Sequence, residues 1–330
     1  MKRIKLLTTG GTIASKQGAS GLEPDLDSGW ILRYLDELSA RYDFGHEDVF
    51  SMDSSNIQPE QWQIIARKIY SCLPDYDGII VTHGTDTMAY TAAALSFMLQ
   101  NLNTAVVLTG SQVPIDDPFT DARTNLCTAV AAVEAGLKGV MVAFGRKVMN
   151  GARSVKTSTT DFNAFHSVNA ADMARVYADG MHTITPQTAP PASHVILRDN
   201  LCTDVFLLKL IPGTRPEIFD AIAGLNYRGL VIEAFGTGGM HYLNRDLLCK
   251  LSLMRKAGIT VVVCSQCLYE RSDLSIYEVG QRILSAGAIS GMDMTTEAAV
   301  TKLMWALGQT DKKEEIIGLF RKNLAGEVMP

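Results

Sequence analysis

The sequence lacks any surplus of positive charge. Lys+Arg number 30 against 35 Asp+Glu, a net charge of −5 over 330 residues, and without concentrated cations nonspecific nucleic-acid binding is not expected. The 6 histidines contain no HxxH or HxxxH pair, so a dedicated zinc site is not expected either. No uninterrupted apolar stretch approaches the roughly 18 residues of a membrane span. The basic start at Lys2, Arg3 and Lys5 runs through Leu6-Leu7 directly into Thr8-Thr9-Gly10-Gly11. No signal-peptide apolar core develops there, and a cytoplasmic location is expected. Cysteine is sparse at 6 residues, and in a chain without a secretory signal these read as reduced, buried thiols. Cys264-Ser265-Gln266-Cys267 follows the apolar run Ile259 to Val263 as a strand end. A lone CxxC there reads as core thiols ahead of a redox pair.

What is present is an ordinary globular composition, 47% hydrophobic and 20% charged, in a chain long enough for a large domain plus a smaller one. Short apolar runs at Ile4 to Leu7, Val49 to Met52, Gly78 to Val81, Ala105 to Leu108 and Val140 to Phe144 alternate with helical patterns. Such alternation predicts a parallel α/β sheet. Pro59 precedes Trp62, Ile65, Ile69 and Leu73, and Met88, Ala92, Leu95, Leu99 and Leu102 repeat at helical spacing; both read as amphipathic crossover helices. Around Thr185 to Ala192 the periodicity stops and proline accumulates, which suggests a linker. A second series follows, with strands at Phe206 to Leu210, Gly229 to Glu233 and Ile259 to Val263 and helices near Glu217 to Leu225 and Arg245 to Lys256. The expected organisation is an α/β protein with a large N-terminal domain over 1–185 on a parallel-dominated sheet, a linker over 186–204 and a smaller C-terminal α/β domain over 205–330.

Ligands of open α/β sheets bind outside the carboxyl ends of the strands. Following the first four strands are Thr9-Gly10-Gly11-Thr12, Asp53-Ser54-Ser55-Asn56, Thr82-His83-Gly84-Thr85-Asp86 and Thr109-Gly110-Ser111-Gln112. Any one of them could be only a tight turn or a helix cap. Together they offer hydroxyls, acids and an amide on one edge, a set suited to a small polar zwitterion. The glycine turn lacks G-x-G-x-x-G, and no G-x-x-x-x-G-K-[ST] occurs, so dinucleotide and P-loop geometries are not encoded. Thr12, just past two glycines, is a candidate nucleophile, but a threonine hydroxyl needs a base. A second hydroxyl at Thr85, an acid at Asp86 and a lysine at Lys156 offer one route. Lys156 could equally be a solvated loop lysine within the polar run Gly151 to Thr160.

Thr9-Gly10-Gly11-Thr12-Ile13-Ala14 together with His83-Gly84-Thr85-Asp86-Thr87-Met88 resembles the two signatures of bacterial-type L-asparaginases. The resemblance extends through Asp53 to Asn56, Thr109 to Gln112, Lys156-Thr157, Thr295 to Ala298 and Thr301 to Leu303, over nearly the whole chain, and is nearer the cytoplasmic type I branch. It implies conversion of L-asparagine to L-aspartate and ammonia without metal or organic cofactor. Thr12 would be the acylated nucleophile, Thr85, Asp86 and Lys156 the second threonine, acid and lysine, and Ser54, Ser55, Gly84 and Ser111 the substrate-binding positions. Backbone N–H groups would stabilise the oxyanion. A glutaminase-asparaginase of broad specificity and a noncatalytic amino-acid sensor are the alternatives.

The resemblance further implies a homodimer or homotetramer and a left-handed crossover in the large domain. A tRNA-dependent amidotransferase component is related chemistry, and a partner-docking N-terminal extension is not expected, since Thr8 closely follows Met1. Two departures stand out. The loop Lys16 to Pro24 carries Leu22 and no tyrosine, where many members have one to orient the first threonine; Tyr277 or a partner's loop is a candidate substitute. Cys267 matches a cysteine of the cooperative type I enzymes, but Glu233 stands where their effector-binding arginine is expected. An acid there would repel a carboxylate, so activation by asparagine is not expected.

Overall fold

The computed structural model describes residues 1–18, 21–24, 27–186 and 194–329, with backbone alone for 16–18 and 21–24. Two units divide the chain, Met1–Asp199 and Asn200–Pro330. Their boundary falls inside the 186–204 segment expected to link them, of which residues 187–193 lie outside the described residues. Ile196–Leu197 pairs with Leu99–Gln100, and the Arg67 guanidinium meets Asp199 at 2.5 Å. The far part of the linker segment is thereby tied into the first unit.

The first unit is built on an eight-stranded sheet. Starting from one edge, the strands run Tyr42–Met52, Lys2–Gly10, Gly78–Thr82, Ala105–Thr109, Gly139–Phe144, Lys147–Asn150, Ala174–Tyr177 and Gly180–Thr183. The first five are mutually parallel and the last three add on antiparallel. Gly78–Thr82 and Ala105–Thr109 are buried at every position, as expected of central strands covered on both faces.

The Tyr42–Met52 strand is longer than the Val49 to Met52 run that announced it. As an edge strand it is half exposed and carries polar residues, which hides it from a search for apolar runs. The antiparallel extension was also hidden. Its first strand, Lys147–Asn150, turns tightly back from Gly139–Phe144 through Gly145 (φ +58°) and Arg146 (φ +63°), a left-handed pair that matches the twist of a two-residue hairpin.

Pro59 opens the Pro59–Cys72 helix, Gln61 accepts the Gln58 N–H at 3.0 Å, and Trp62, Ile65 and Ile69 are buried as their spacing predicts. The Met88–Met98 helix departs from expectation. It is buried on every side except at Tyr90, because its alanines and small hydroxyl residues let neighbours pack against all faces, and it ends where Leu99 enters a strand. An amphipathic stripe is therefore absent.

The second unit has a four-stranded parallel sheet, Val205–Lys209, Gly229–Ala234, Thr260–Ser265 and Ile289–Ser290 in spatial order. Phe219, Ile222, Leu251, Met254 and Ile283 from its helices cover Leu230, Ile232, Val261 and Val263. Arg245 lies outside the corresponding helix, which spans Leu248–Lys256. Among the described residues no helix is long and apolar enough to cross a membrane.

All six cysteines are free, but only Cys72, Cys202 and Cys264 are buried; Cys127, Cys249 and Cys267 are exposed. The expectation of uniformly buried thiols is thus corrected. Cys264 lies one residue before the end of its strand, its thiol pushed up to about 12 by burial and then by the charge of Glu233.

One buried ion pair closes the second unit. Lys302 of the Thr296–Gln309 helix reaches Glu327 at 2.5 Å and the Lys322 carbonyl at 2.7 Å, with both charged side chains fully buried. Glu327 also accepts the N–H groups of Leu324 and Ala325. Removing one member of such a pair leaves the other charge buried. Lys302→Met should therefore lower stability by about 3–5 kcal/mol, read from urea unfolding; a loss below about 1 kcal/mol would show that the pair behaves as a surface bridge.

Candidate active site

Along one edge the first unit's parallel strands run in the order second, first, third, fourth, fifth by chain position. That order places a topological switch point between Lys2–Gly10 and Gly78–Thr82, where connections leave to opposite sides and a crevice opens at the carboxyl ends. Thr12 and Thr85 follow these two strands.

The loops there meet backbone to backbone. Gly10 and Gly11 have φ of +92° and +80°. A Cβ on Gly11 would lie 2.4 Å from the Gly84 N and Cα, and one on Gly84 would lie 2.6 Å from the Ser54 Cβ. Only glycine fits at either point. The Gly11 N–H donates to the Met52 carbonyl at 3.1 Å, the Thr9 hydroxyl to the Thr82 carbonyl at 2.8 Å, and the Thr87 hydroxyl to the Ser54 carbonyl at 2.8 Å. Three successive turns are locked into one surface.

On that surface Thr12 opens the short 3-10 turn Thr12–Ala14 and is half-buried. Thr85 is buried and Asp86 exposed. Lys156 donates to the Thr85 hydroxyl at 2.8 Å and to the Asp86 carboxylate at 2.7 Å. It is no solvated loop lysine: it ends the strand Ser154–Lys156, and its side chain is 15% exposed. Four sequence-predicted residues thus divide into a hydrogen-bonded trio, Thr85, Asp86 and Lys156, and a turn carrying Thr12 that touches Gly84.

The predicted binding residues are placed less uniformly. Ser54 is buried against Gly84. Ser55 is exposed, and its hydroxyl and N–H both donate to Asp53, at 2.5 and 2.7 Å, which holds that carboxyl below its usual range. Ser111 is buried and spends its hydroxyl on the Val113 carbonyl at 2.5 Å.

The neighbouring side chain reaches the trio instead. Gln112 accepts the Thr85 hydroxyl at 3.4 Å, while its amide donates to the carbonyls of Thr159 and Asp161 at 3.1 Å each. Its N–H donates to Asp121, and Asn125 ties Asp121 to the carbonyl of Gly110 and the N–H of Gly145. Reading the sequence gives Gln112 no separate role, although an amide at a strand end was the available signal.

His83 also has a place that the motif alone does not reveal. Fully buried, it lies 2.7 Å from the Gly84 carbonyl through Nδ1 and 2.9 Å from the Thr91 hydroxyl through Nε2. A carbonyl only accepts, so Nδ1 carries the proton and Nε2 accepts from Thr91. Burial lowers its pKa to about 4. The ring is neutral at pH 7 and braces the turn that carries Thr85.

The second unit has its own acid at a strand end. Glu233 accepts the Thr296 hydroxyl at 2.6 Å and pairs with Lys209 at 3.5 Å. Tyr277 is 61% exposed and immediately precedes the Glu278–Ser285 helix. The side chains of the loop Lys16 to Pro24, Leu22 among them, lie outside the described residues. Among the described residues no group of three or more His, Cys, Asp or Glu side chains is placed to hold a metal ion.

Comparison with known proteins gives the family. The family model "Asparaginase, N-terminal" matches residues 3–189, and "Glutaminase/Asparaginase C-terminal domain" matches 204–320. The chain belongs to the asparaginase family. This amidohydrolase family member is 41% identical to an L-asparaginase of Thermococcus kodakarensis over 99% of each chain. The solved structure of the thermostable L-asparaginase from that organism superposes with a TM-score of 0.94 at 40% identity, covering 99% of each chain. L-asparaginase I from Vibrio cholerae gives a TM-score of 0.90 at 30% identity, with 100% of this chain and 99% of that one covered. A component of the glutamyl-tRNA(Gln) amidotransferase of Methanosphaera stadtmanae is 36% identical over 99% of this chain and 77% of its own length.

The buried histidine gives this asparaginase-family fold a pH dependence. The folded site holds His83 neutral, whereas the unfolded chain takes up the proton below about 6.5, so unfolding gains protons as the pH drops. Stability linked to His83 should be complete above pH 6.5 and decline as the pH falls toward 4. Urea midpoints measured across that range should show the slope, and His83→Asn should flatten it. An unchanged slope in the variant would assign the acid sensitivity to other groups.

Proposed function

We propose that the chain hydrolyses L-asparagine to L-aspartate and ammonia through an acyl-enzyme on Thr12. The observation that carries this reading is the Lys156 side chain, which joins Thr85 to Asp86 at the switch point where the Thr12 turn packs on Gly84. In the first step the Thr12 oxygen bonds to the side-chain amide carbon, the C–N bond breaks, and the hydroxyl proton leaves with the nitrogen as ammonia. Water then attacks the ester carbon, giving up one proton to restore the Thr12 hydroxyl and leaving its oxygen in the product carboxyl group. Thr85, with Lys156 and Asp86 behind it, carries protons between these groups. Ser54, Ser55 and Asp86 receive the substrate's charged α-groups, Gly84 leaves room for its backbone, and the Ser111-Gln112 turn faces the amide end.

Two further readings accompany this one. One methylene separates asparagine from glutamine and is worth only about 1–3 kcal/mol in a pocket, so glutamine is the competing substrate. The chain is also read as a cytoplasmic homodimer or homotetramer, which light scattering of the purified protein decides for its mass.

The decisive measurement is ammonia release from free L-asparagine and, in parallel, L-glutamine by the purified chain. Turnover of asparagine is expected without any added tRNA or partner. Thr12→Ala should keep the wild-type circular dichroism and lose activity by roughly 10³-fold or more. Normal turnover in that variant would remove Thr12 as the nucleophile, and saturable asparagine binding without hydrolysis by the unmutated chain would favour a sensor.

A further inference from the structure

Lys147 begins the strand that follows the Gly145-Arg146 turn and is 9% exposed. Its Nζ donates to the Phe165 carbonyl at 2.6 Å, and among the described residues this is its only hydrogen bond. An ammonium has three N–H groups to satisfy. Burial accordingly holds Lys147 below the ordinary lysine range, opposed by the charges of Asp172 and Asp161. Holding the charge there is costly, and removing it would leave the Phe165 carbonyl without this donor.

The accepting carbonyl explains why a cation sits there. Phe165 is the cross-strand partner of Lys156 in the short antiparallel pair Ser154–Lys156 with Phe165–Ser167. Three residues per strand are too few to hold a hairpin without outside support. That support comes from the neighbouring hairpin, at two points on one residue. The Phe165 ring packs on Phe144 with centroids 4.9 Å apart, and Phe144 is the register partner of Lys147, whose Nζ takes the Phe165 carbonyl.

We propose that Lys147 is a positioning residue for the reaction. It fixes the strand opposite Lys156 and so holds the Lys156 Nζ between Thr85 and Asp86. The inference rests on the role given to Lys156 above. It differs from a merely structural role in a measurable way: the loss of rate on removing the Lys147 donor should vanish once Lys156 is gone.

The test is Lys147→Met, which keeps the aliphatic stem and removes the donor. Expected are a folded variant with a modest fall in melting temperature, a KM within about twofold, and a kcat reduced by about ten- to a hundredfold, the scale of an ångström-sized misplacement. In a Lys156→Ala background, adding Lys147→Met should lower the residual rate no further, because a residue acting through Lys156 has nothing left to position. Failure to fold, an unchanged kcat, or additive losses in the double variant would each overturn the proposal. Full activity in Lys156→Ala would overturn the role of Lys156 and this inference with it. Loss in Lys156→Ala beside full activity in Lys147→Met would overturn this inference alone.

Discussion

The site depends on direct contact between backbones at the switch point. Gly11 lies against Gly84, and Gly84 against Ser54, with no room for a side chain at either glycine. Sheet geometry brings strand ends to about 5 Å from one another, yet it does not decide how the loops beyond them lie. The glycines do, by letting three turns share one surface and by allowing their main-chain groups to bond across it. His83 from below and Thr87 from the side then fix the middle turn. The polar side chains on this surface inherit their geometry from the backbone beneath them.

Much of the architecture was legible because parallel sheets advertise themselves. Central strands such as Gly78–Thr82 and Ala105–Thr109 are buried throughout and read as uninterrupted apolar runs. Where burial is one-sided or the strands are short, the signal vanishes. The polar half of Tyr42–Met52, the antiparallel strands from Lys147 to Thr183 and the Lys156 hairpin all escaped for that reason. The Met88–Met98 helix misled in the opposite sense: its apolar spacing was real, but small residues on the other faces permitted full burial.

The site was legible at the level of motifs and less so at the level of contacts. Thr85 and Asp86 lie where strand-end residues of a parallel sheet share an edge, a rule that works from sequence, whereas Lys156 comes to them from the separate antiparallel pair Ser154–Lys156 with Phe165–Ser167. Choosing between Ser111 and Gln112 needs the local turn, since a hydroxyl two residues from an accepting carbonyl satisfies itself, whereas a longer amide reaches outward. Lys147 is harder still. Its partner is a main-chain carbonyl, and no side-chain pattern records a carbonyl.

The strands that deliver the catalytic loops also restrict how the chain can change length. Thr8, Thr82 and Thr109 lie in register across three adjacent parallel strands. A single residue inserted before any of them would turn its side chain to the opposite face and push the following loop about 3.3 Å forward. Glycine contacts with almost no spare space could not absorb that displacement. Substitutions in the sheet therefore cost packing, but insertions and deletions would dismantle the site. Connections on the opposite, amino-terminal edge of the parallel strands are where a change of length would leave this register untouched.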